Sequence, residues 1–171
     1  MFKVFVRYPS WKEEFDVIRR TTEQTPPETN VVFEPADVHE MQRIIRRVPV
    51  ADPVVHYAMK LVRSTRLEEV EGEPIPDFVR DYVAWGAGPR ACQFLILGGK
   101  AKALLSGRSH VSVEDIQAVA HPVLRHRILN NFHAEAKGIS PDTVIDKLLA
   151  QIPTEEGAIL PDGQLRKILQ S

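Results

Sequence analysis

The residues best suited to chemistry form the short run Gly-Ala-Gly-Pro-Arg at positions 86–90. Gly86 and Gly88 permit a tight turn and the close approach of another backbone, and Pro89 favours the first position of a helix. The free N–H groups of such a helix start suit an anion. Arg90 would lie in the first turn, where a cation opposes the helix dipole by roughly 0.3–1 kcal/mol. A phosphate or carboxylate ligand would accommodate it, and so would an ion pair with an acid of a neighbouring helix.

Other potentially reactive side chains lack the companions that catalysis or metal binding needs. Cys92 is the single cysteine, which excludes an internal disulfide and favours a buried, inert thiol. His121, His126 and His133 are spaced by five and seven residues, whereas zinc-binding helices favour pairs four apart, so we expect no metal site. The chain contains no G-x-x-x-x-G-K-[ST] run, so on its own it should not bind and hydrolyse a nucleotide in the P-loop manner.

A basic stretch at residues 121–127 leaves two interpretations open. It could form a solvated face or pair with the acidic residues of 67–81, or it could contact phosphate or the acidic face of a partner. The second interpretation carries an alternative function for the chain, as a stand-alone helical module that binds an acidic protein or a nucleic acid. The chain has 22 basic and 23 acidic residues and a formal net charge of −1. It therefore lacks the bulk positive charge typical of nucleic-acid binders, and nucleic acid is not the expected partner.

The elements that must hold these residues are predominantly helical. Thirteen prolines punctuate the chain, and proline tolerates the first turn of a helix but disrupts its interior. Ser10 and Glu13 form a capping-box pattern at the start of the first helix. Gly98 and Gly99 lie inside a predicted helix, which indicates close packing of another backbone, or a hinge. With apolar residues at helical spacing, these signals predict helices over about 11–24, 35–47, 53–66, a short one ending at 85, 89–106, 113–128 with a kink or restart at Pro122, and one from 141.

One segment does not fit a helical bundle. Residues 2–6 alternate apolar side chains in a strand pattern, and no good partner strand follows, apart from the short extended piece Val31–Phe33. A lone strand leaves its backbone donors and acceptors unmatched. We therefore interpret residues 2–6 as part of a sheet whose other strands are missing from this chain. The predicted fold class is mainly α, a bundle of about six helices with one N-terminal strand.

A long run of motifs carries a family resemblance. The stretch WGAGPRACQFLILGGKAKALLSGRSHVSVEDIQAVAHPVLRHRI, residues 85–128, is similar to the C-terminal part of the MoxR-family AAA+ ATPases. The pattern of that family is approximately G-A-S-P-R-A, then A-A-K-A, G-R, V-x-x-E-D-V and P-V-L-x-H-R-I. Upstream, Phe-Lys-Val at 2–4, Tyr-Pro-Ser at 8–10 and Val-Arg-Ser-Thr-Arg at 62–66 also match, so the resemblance covers about residues 1–152.

The resemblance implies a domain organisation of the AAA+ lid type. Residues 1–9 would be the last strand of an αβα core, and residues 10–52 the helices that lead into the lid. Residues 53–152 would form the helical lid itself, followed by a tail at 153–171. The Walker A, Walker B, sensor-1 and arginine-finger segments of the family would precede Met1.

The resemblance also implies roles for individual residues. Arg90 matches the sensor-2 arginine of the lid, which contacts the nucleotide phosphates, and Gly86, Gly88 and Pro89 would form the supporting turn. Gly88 stands where the family usually has serine, so a hydroxyl cap is lost. Three further arginines match family positions and are candidates for partner or interface contacts: Arg66, Arg125 and Arg127.

The resemblance also implies a function driven by ATP hydrolysis. The intact protein would use ATP and magnesium, and it would couple ATP hydrolysis to the remodelling or maturation of partner proteins, often ones with a von Willebrand factor A domain. It would assemble as a ring, a homo-hexamer, in which this lid must meet a core domain. No apolar run approaches the roughly 20 residues of a membrane helix, and the N-terminus lacks a signal-peptide pattern, so we expect a cytoplasmic location.

Overall fold

The computed structural model describes residues 1–23, 30–68 and 74–154, and these are mainly helical. The predicted fold class, a mainly α helical bundle, is confirmed. Two predictions fall outside the described residues: the end of the first helix at about 24 and most of the tail from 153 onward. In chain order the helices and strands are α1 Trp11–Thr22, α2 Pro35–Arg47, α3 Asp52–Arg63, α4 Asp77–Tyr82, β1 Val83–Trp85, α5 Pro89–Leu105, α6 Val113–Leu124, β2 Leu129–Asn130, α7 Phe132–Ala136 and α8 Pro141–Gln151.

Local side-chain caps explain where several helices begin. Ser10 Oγ accepts a hydrogen bond from the Glu13 N–H at 3.4 Å, and the Glu13 carboxylate accepts the Ser10 N–H at 2.8 Å, so the predicted capping box is confirmed. At the start of α8, Ser140 Oγ accepts the Thr143 N–H at 3.2 Å, and Pro141 occupies the first turn. These bonds satisfy N–H groups that have no partner inside the helix.

The chain divides into two compact units. One comprises Val4–Arg43, and the other comprises Met1–Lys3 together with the residues from Ile44 onward. In the first unit, α1 buries none of its residues, and its apolar stripe of Trp11, Phe15 and Ile18 is exposed. Within the described part of the chain, no helix is both long enough and apolar enough to span a bilayer.

The core of the larger unit forms around α6. This helix packs on α5, on α8 and on α3. A helix that contacts neighbours on several sides buries apolar residues around most of its circumference. The largest fully buried side chains of this core are Tyr57, Leu61, Leu95, Ile116, Leu124, Ile128, Ile145 and Leu148.

Gly98 and Gly99 let two surfaces approach α5 closely. A Cβ on Gly99 would lie 2.8 Å from Ile116 Cδ1 and 3.1 Å from Val111 Cγ1. A Cβ on Gly98 would lie 2.8 Å from Cζ of Phe2. These glycines do permit close packing, but the neighbours are side chains, so the predicted approach of another backbone was wrong.

The strand predicted over residues 2–6 was wrong for this structure, in which residues 1–10 form neither helix nor strand. The start of the chain is held by α5 and α6 instead of by a strand ladder: the Lys3 N–H donates to the Pro122 carbonyl at 2.7 Å. The described residues contain one small sheet elsewhere, in which β1 pairs with β2 antiparallel.

Formation of this sheet corrects the neighbouring boundaries. The short helix predicted to end at 85 ends at Tyr82, because Val83–Trp85 pair with β2 and the Asn131 N–H donates to the Tyr82 carbonyl at 2.9 Å. The helix predicted to run to about 128 ends at Leu124, where residues 125–127 form a turn that leads into β2, and α7 was not predicted. Pro122 does not interrupt α6, because it lies in the last turn, where few hydrogen bonds depend on it.

Candidate functional site

The run from Gly86 to Arg90 connects β1 to α5. Pro89 is the first residue of α5 and Gly88 is its N-cap, in an extended conformation with φ −80° and ψ 176°. The helix start that the sequence predicts at Pro89 is therefore confirmed. Arg90 lies in the first turn and is exposed. Among the described residues no carboxylate forms an ion pair with Arg90, so the alternative of a helix-to-helix ion pair finds no support there.

Two consecutive side chains from the end of α3 hold the middle of this run. The Ala87 N–H donates to Thr65 Oγ1 at 2.8 Å, and the Ala87 carbonyl accepts from Arg66 Nε at 3.0 Å. Thr65 Oγ1 in turn donates to the Val62 carbonyl at 2.6 Å. Thr65 is fully buried and Ala87 is 1% exposed, so water cannot replace these partners.

Sequence analysis did not identify Thr65 as a site residue, and it assigned Arg66 to partner contacts. A buried polar residue directly after a helix is the signal that points to Thr65, since such residues cap or support nearby backbone. The helix predicted to reach 66 stops at Arg63, and Ser64 and Thr65 form the turn that follows it, which places the side chains of Thr65 and Arg66 against Ala87.

A cleft of about 430 Å³ opens beside the run. Trp85 forms part of its wall and is 71% exposed, and Arg66 and Glu68 supply its charged groups. The remaining lining is backbone and small apolar groups from residues 84–89, together with Leu67. A cleft with an apolar wall, a helix N-terminus and arginines nearby suits a ligand that has both an anionic and a flat apolar part.

Cys92 lies near this site without taking part in it. The residue is half-buried, and its Sγ lies 3.9 Å from the Ala58 carbonyl oxygen. Burial raises the pKa of the Cys92 thiol, and the nearby guanidinium groups of Arg66 and Arg63 lower it by less. A thiol whose pKa is raised is a poor nucleophile near neutral pH.

No metal centre is evident among the residues that the structure describes, where no three His, Cys, Asp or Glu side chains gather as ligands. The three histidines considered in the sequence lie on α6, after α6 and on α7.

The basic stretch at 121–127 contacts α8. His121 Nε2 lies 2.9 Å from Asp146 Oδ1, and Arg125 Nε donates to Asp142 Oδ1 at 3.1 Å. Arg125 Nη1 also donates to the Lys3 carbonyl at 3.4 Å. Both of these acids belong to α8 and not to the 67–81 segment that the sequence suggested, of which residues 69–73 lie outside the described ranges.

Arg127 is engaged by its own neighbourhood. Its guanidinium lies 5.0 Å from the centre of the Phe94 ring and donates to the carbonyls of Met1, at 3.2 Å, and of Val123. Burial lowers the pKa of the adjacent His126, and the positive charge of Arg127 lowers it further. His121, Arg125 and Arg127 of the basic stretch thus all contact other residues of the same chain.

A buried ion pair fixes the junction between α5 and α6. Arg108 Nη1 donates to Asp115 Oδ2 at 2.6 Å, and Arg108 Nη2 donates to the second carboxylate oxygen. Asp115 is 1% exposed and also accepts the Ser112 N–H at 3.0 Å. Burial acts to raise the pKa of Asp115, but these hydrogen bonds outweigh it and hold the pKa below its usual value.

Comparison with known proteins identifies this arrangement. Residues 77–148 match the family model of the AAA lid domain. Over 161 residues the chain is 34% identical to the chaperone MoxR1 of Mycobacterium tuberculosis, an alignment that covers 94% of this chain and 42% of that protein. Residues 77–148 thus form an AAA lid domain, and the chain as a whole is similar to MoxR-type AAA+ ATPases.

Two further proteins are similar to this chain over most of its length. YeaC of Bacillus subtilis, a protein of uncharacterised role, is 28% identical over 162 residues, covering 93% of this chain and 47% of YeaC. A crystal structure of a candidate ATPase from Cytophaga hutchinsonii superposes with a TM-score of 0.79 at 30% identity, covering 91% of the lid chain and 46% of that protein. The chain thus spans somewhat less than half the length of the relatives that it matches. Arg90 lies inside the matched lid domain, whereas Thr65 and Arg66 precede it.

Proposed function

We propose that this lid completes the nucleotide site of an AAA+ ATPase and that Arg90 contacts the phosphates of the bound nucleotide as its sensor-2 residue. The observation that carries the proposal is the placement of Arg90. It is exposed in the first turn of α5, it has no ion pair among the described residues, and it follows a run that Thr65 and Arg66 hold in place.

The chemistry of phosphoryl transfer explains what such an arginine contributes. Catalysis of this reaction rests on positioning and on electrostatic stabilisation of charge that spreads over the phosphate oxygens. A guanidinium is planar and always charged, so Arg90 can donate two hydrogen bonds to one phosphate. The N-terminus of α5 adds N–H groups to the same region. When bound, magnesium would neutralise phosphate charge; among the described residues no cluster of carboxylate or imidazole ligands gathers to hold it.

The wider role follows from the family. We propose that ATP hydrolysis by the whole ATPase drives the remodelling or maturation of partner proteins, in keeping with the chaperone name of the relative MoxR1. We further propose a cytoplasmic homo-hexameric ring that uses ATP and magnesium, with this lid packed against a core domain. Proteins with a von Willebrand factor A domain are the proposed partners. Residues 53–152 act as the moving lid and 10–52 as its connection to the core.

Steady-state ATP turnover tests the role of Arg90. In the polypeptide that carries this lid with its nucleotide-binding core, Arg90→Ala should lower turnover roughly 10- to 100-fold, the effect of losing a hydrogen bond to a charged group. Arg90→Lys keeps the charge but loses the bidentate geometry and should recover only part of the turnover. Arg47→Ala, which removes an exposed arginine at the end of α2, is the matched control. Turnover in Arg90→Ala equal to that of the control would overturn the proposal.

A further inference from the structure

We infer that Thr65 and Arg66 are positioning residues that set the orientation of Arg90 for phosphate contact. The inference rests on the proposed function of Arg90. It assigns to Arg66 an intrachain role in place of the partner contact that the sequence suggested. The geometry that carries it is the pair of hydrogen bonds by which these two consecutive residues hold both polar groups of Ala87.

The first step concerns the hydrogen bonds available to Ala87. Its N–H and its carbonyl both point at side chains of α3's end, the hydroxyl of Thr65 and the Nε of Arg66. Since Ala87 is 1% exposed, an Ala87 that moved would leave buried polar groups without partners. The position of Ala87 is therefore fixed by two side chains whose own positions are set elsewhere.

The second step concerns what fixes Thr65. Its hydroxyl donates to the Val62 carbonyl at 2.6 Å, so it is tied to the last turn of α3. Val62 and Leu61 are fully buried in the core of the larger unit. The hydroxyl uses its single donor on Val62 and an acceptor lone pair on Ala87, which matches the capacity of a threonine. The core thereby holds the run at 86–90 through one side chain.

The third step leads from Ala87 to Arg90. On the other side of Ala87, Gly86 lies against the backbone of Thr65, and a Cβ on it would come within 2.3 Å of the Thr65 carbonyl oxygen. After Ala87, Pro89 restricts its own φ, and the Ala91 N–H donates to the Gly88 carbonyl at 2.9 Å, which closes the first turn of α5. Only Gly88 separates the held Ala87 from Pro89; the following proline restricts its backbone and its carbonyl is tied into the first turn of α5, so displacement of Ala87 shifts the start of α5 and with it Arg90.

Hydrogen exchange of the Ala87 amide, measured by NMR on this chain, tests the geometry. Thr65→Val removes the hydroxyl and keeps the shape, and the Ala87 amide should then exchange about tenfold faster, as expected for one lost hydrogen bond of ordinary strength. Thr65→Ser keeps the hydroxyl and should keep the slow exchange. Equal exchange rates in the valine and serine variants would contradict the inference.

ATP turnover tests the consequence for Arg90, again with the nucleotide-binding core present. Thr65→Val and Arg66→Met should each lower kcat about tenfold with a smaller change in KM. The reason is that a misplaced Arg90 guanidinium weakens the transition state more than it weakens the binding of substrate. In the background of Arg90→Ala, either change should have little further effect, since the residue that they position is gone. Arg66→Met is the second variant in case Thr65→Val fails to fold, because Arg66 is only partly buried.

The outcomes separate this inference from the proposed function. Normal turnover in Thr65→Val and Arg66→Met, together with impaired turnover in Arg90→Ala, would overturn the positioning role and leave the sensor role intact. Losses that multiply in the double variants would also overturn it, because they would mean that Thr65 and Arg66 act independently of Arg90. Normal turnover in Arg90→Ala would instead overturn the proposed function.

Discussion

Gly86 lies so close to Thr65 that a Cβ at residue 86 would come within 2.3 Å of the Thr65 carbonyl oxygen. The other glycine of the run is different, since a Cβ on Gly88 would meet nothing within 4 Å. Two glycines that look equivalent in the sequence therefore do different things. Gly86 permits contact between the run and the end of α3, whereas Gly88 occupies an N-cap position that other residues could fill.

This difference gives a paired stability prediction. Gly86→Ala should lower the free energy of unfolding by roughly 1–3 kcal/mol, because the clash is with backbone that cannot move aside easily. Gly88→Ser should raise it by a few tenths of a kcal/mol, since serine is a somewhat better N-cap than glycine. Denaturant unfolding of both variants measures the two effects. Equal stability of the two variants would show that the close approach at Gly86 is wrong.

The Arg108–Asp115 ion pair predicts a dependence of stability on pH. The pKa of Asp115 lies below its usual value in the folded chain. The contribution of the ionised carboxylate to the free energy of unfolding is therefore present above the pKa of aspartate in the unfolded chain, about 4, and is lost as the pH falls through the folded pKa. Unfolding measured from pH 7 to pH 2 should therefore show a steeper acid loss for the wild type than for Asp115→Asn.

The same variant should also be less stable at neutral pH. Arg108 is 35% exposed, so solvent screens part of the pair, and we expect Asp115→Asn to cost roughly 1–3 kcal/mol at pH 7. Asp146→Asn is the control, because that carboxylate is 67% exposed and should contribute much less. Parallel pH profiles for the wild type and Asp115→Asn would refute the assignment.

The burial of Cys92 predicts slow modification of its thiol. Burial raises its pKa, so less thiolate is present near neutral pH and alkylation is slowed. Iodoacetamide at pH 7.5 should label the folded chain at least about tenfold more slowly than the chain unfolded in denaturant. Equal rates in the two states would mean that the thiol is not protected by the fold.

The basic stretch at 121–127 should not act as a nucleic-acid surface. Arg125 and His121 already contact carboxylates of α8, so fluorescence anisotropy with labelled single-stranded DNA or RNA should show no saturable binding at low salt. Saturable binding that weakens steeply with salt and is reduced by Arg125→Ala would favour the alternative function, a nucleic-acid module.

The helix starts could be predicted because they are set by residues close together in sequence. Ser10 with Glu13 and Pro89 after Gly88 each carry their signal within one turn. A cation in the first turn of a helix opposes the helix dipole, and this marked Arg90 in the sequence as a candidate for anion binding. The structure agrees, since Arg90 is exposed and forms no ion pair among the described residues.

What the sequence could not provide depends on distant contacts. The strands β1 and β2 have only three and two residues, and they form because their partners lie across the bundle. The contact of Thr65 with Ala87 joins residues 22 apart in the chain, and no local pattern specifies that distance. The apolar alternation at 2–6 predicts a strand, yet in this structure Phe2 and Lys3 contact α5 and α6 instead.

The central claim is that Arg90 contacts the terminal phosphate of ATP, and discrimination between nucleotides tests it most directly. Dissociation constants for a non-hydrolysable ATP analogue and for ADP should be measured with the core present, in the wild type and in Arg90→Ala. We predict that Arg90→Ala weakens binding of the ATP analogue roughly 10- to 100-fold and changes ADP binding much less, because ADP lacks that phosphate. Equal weakening of both, or of neither, would contradict the account.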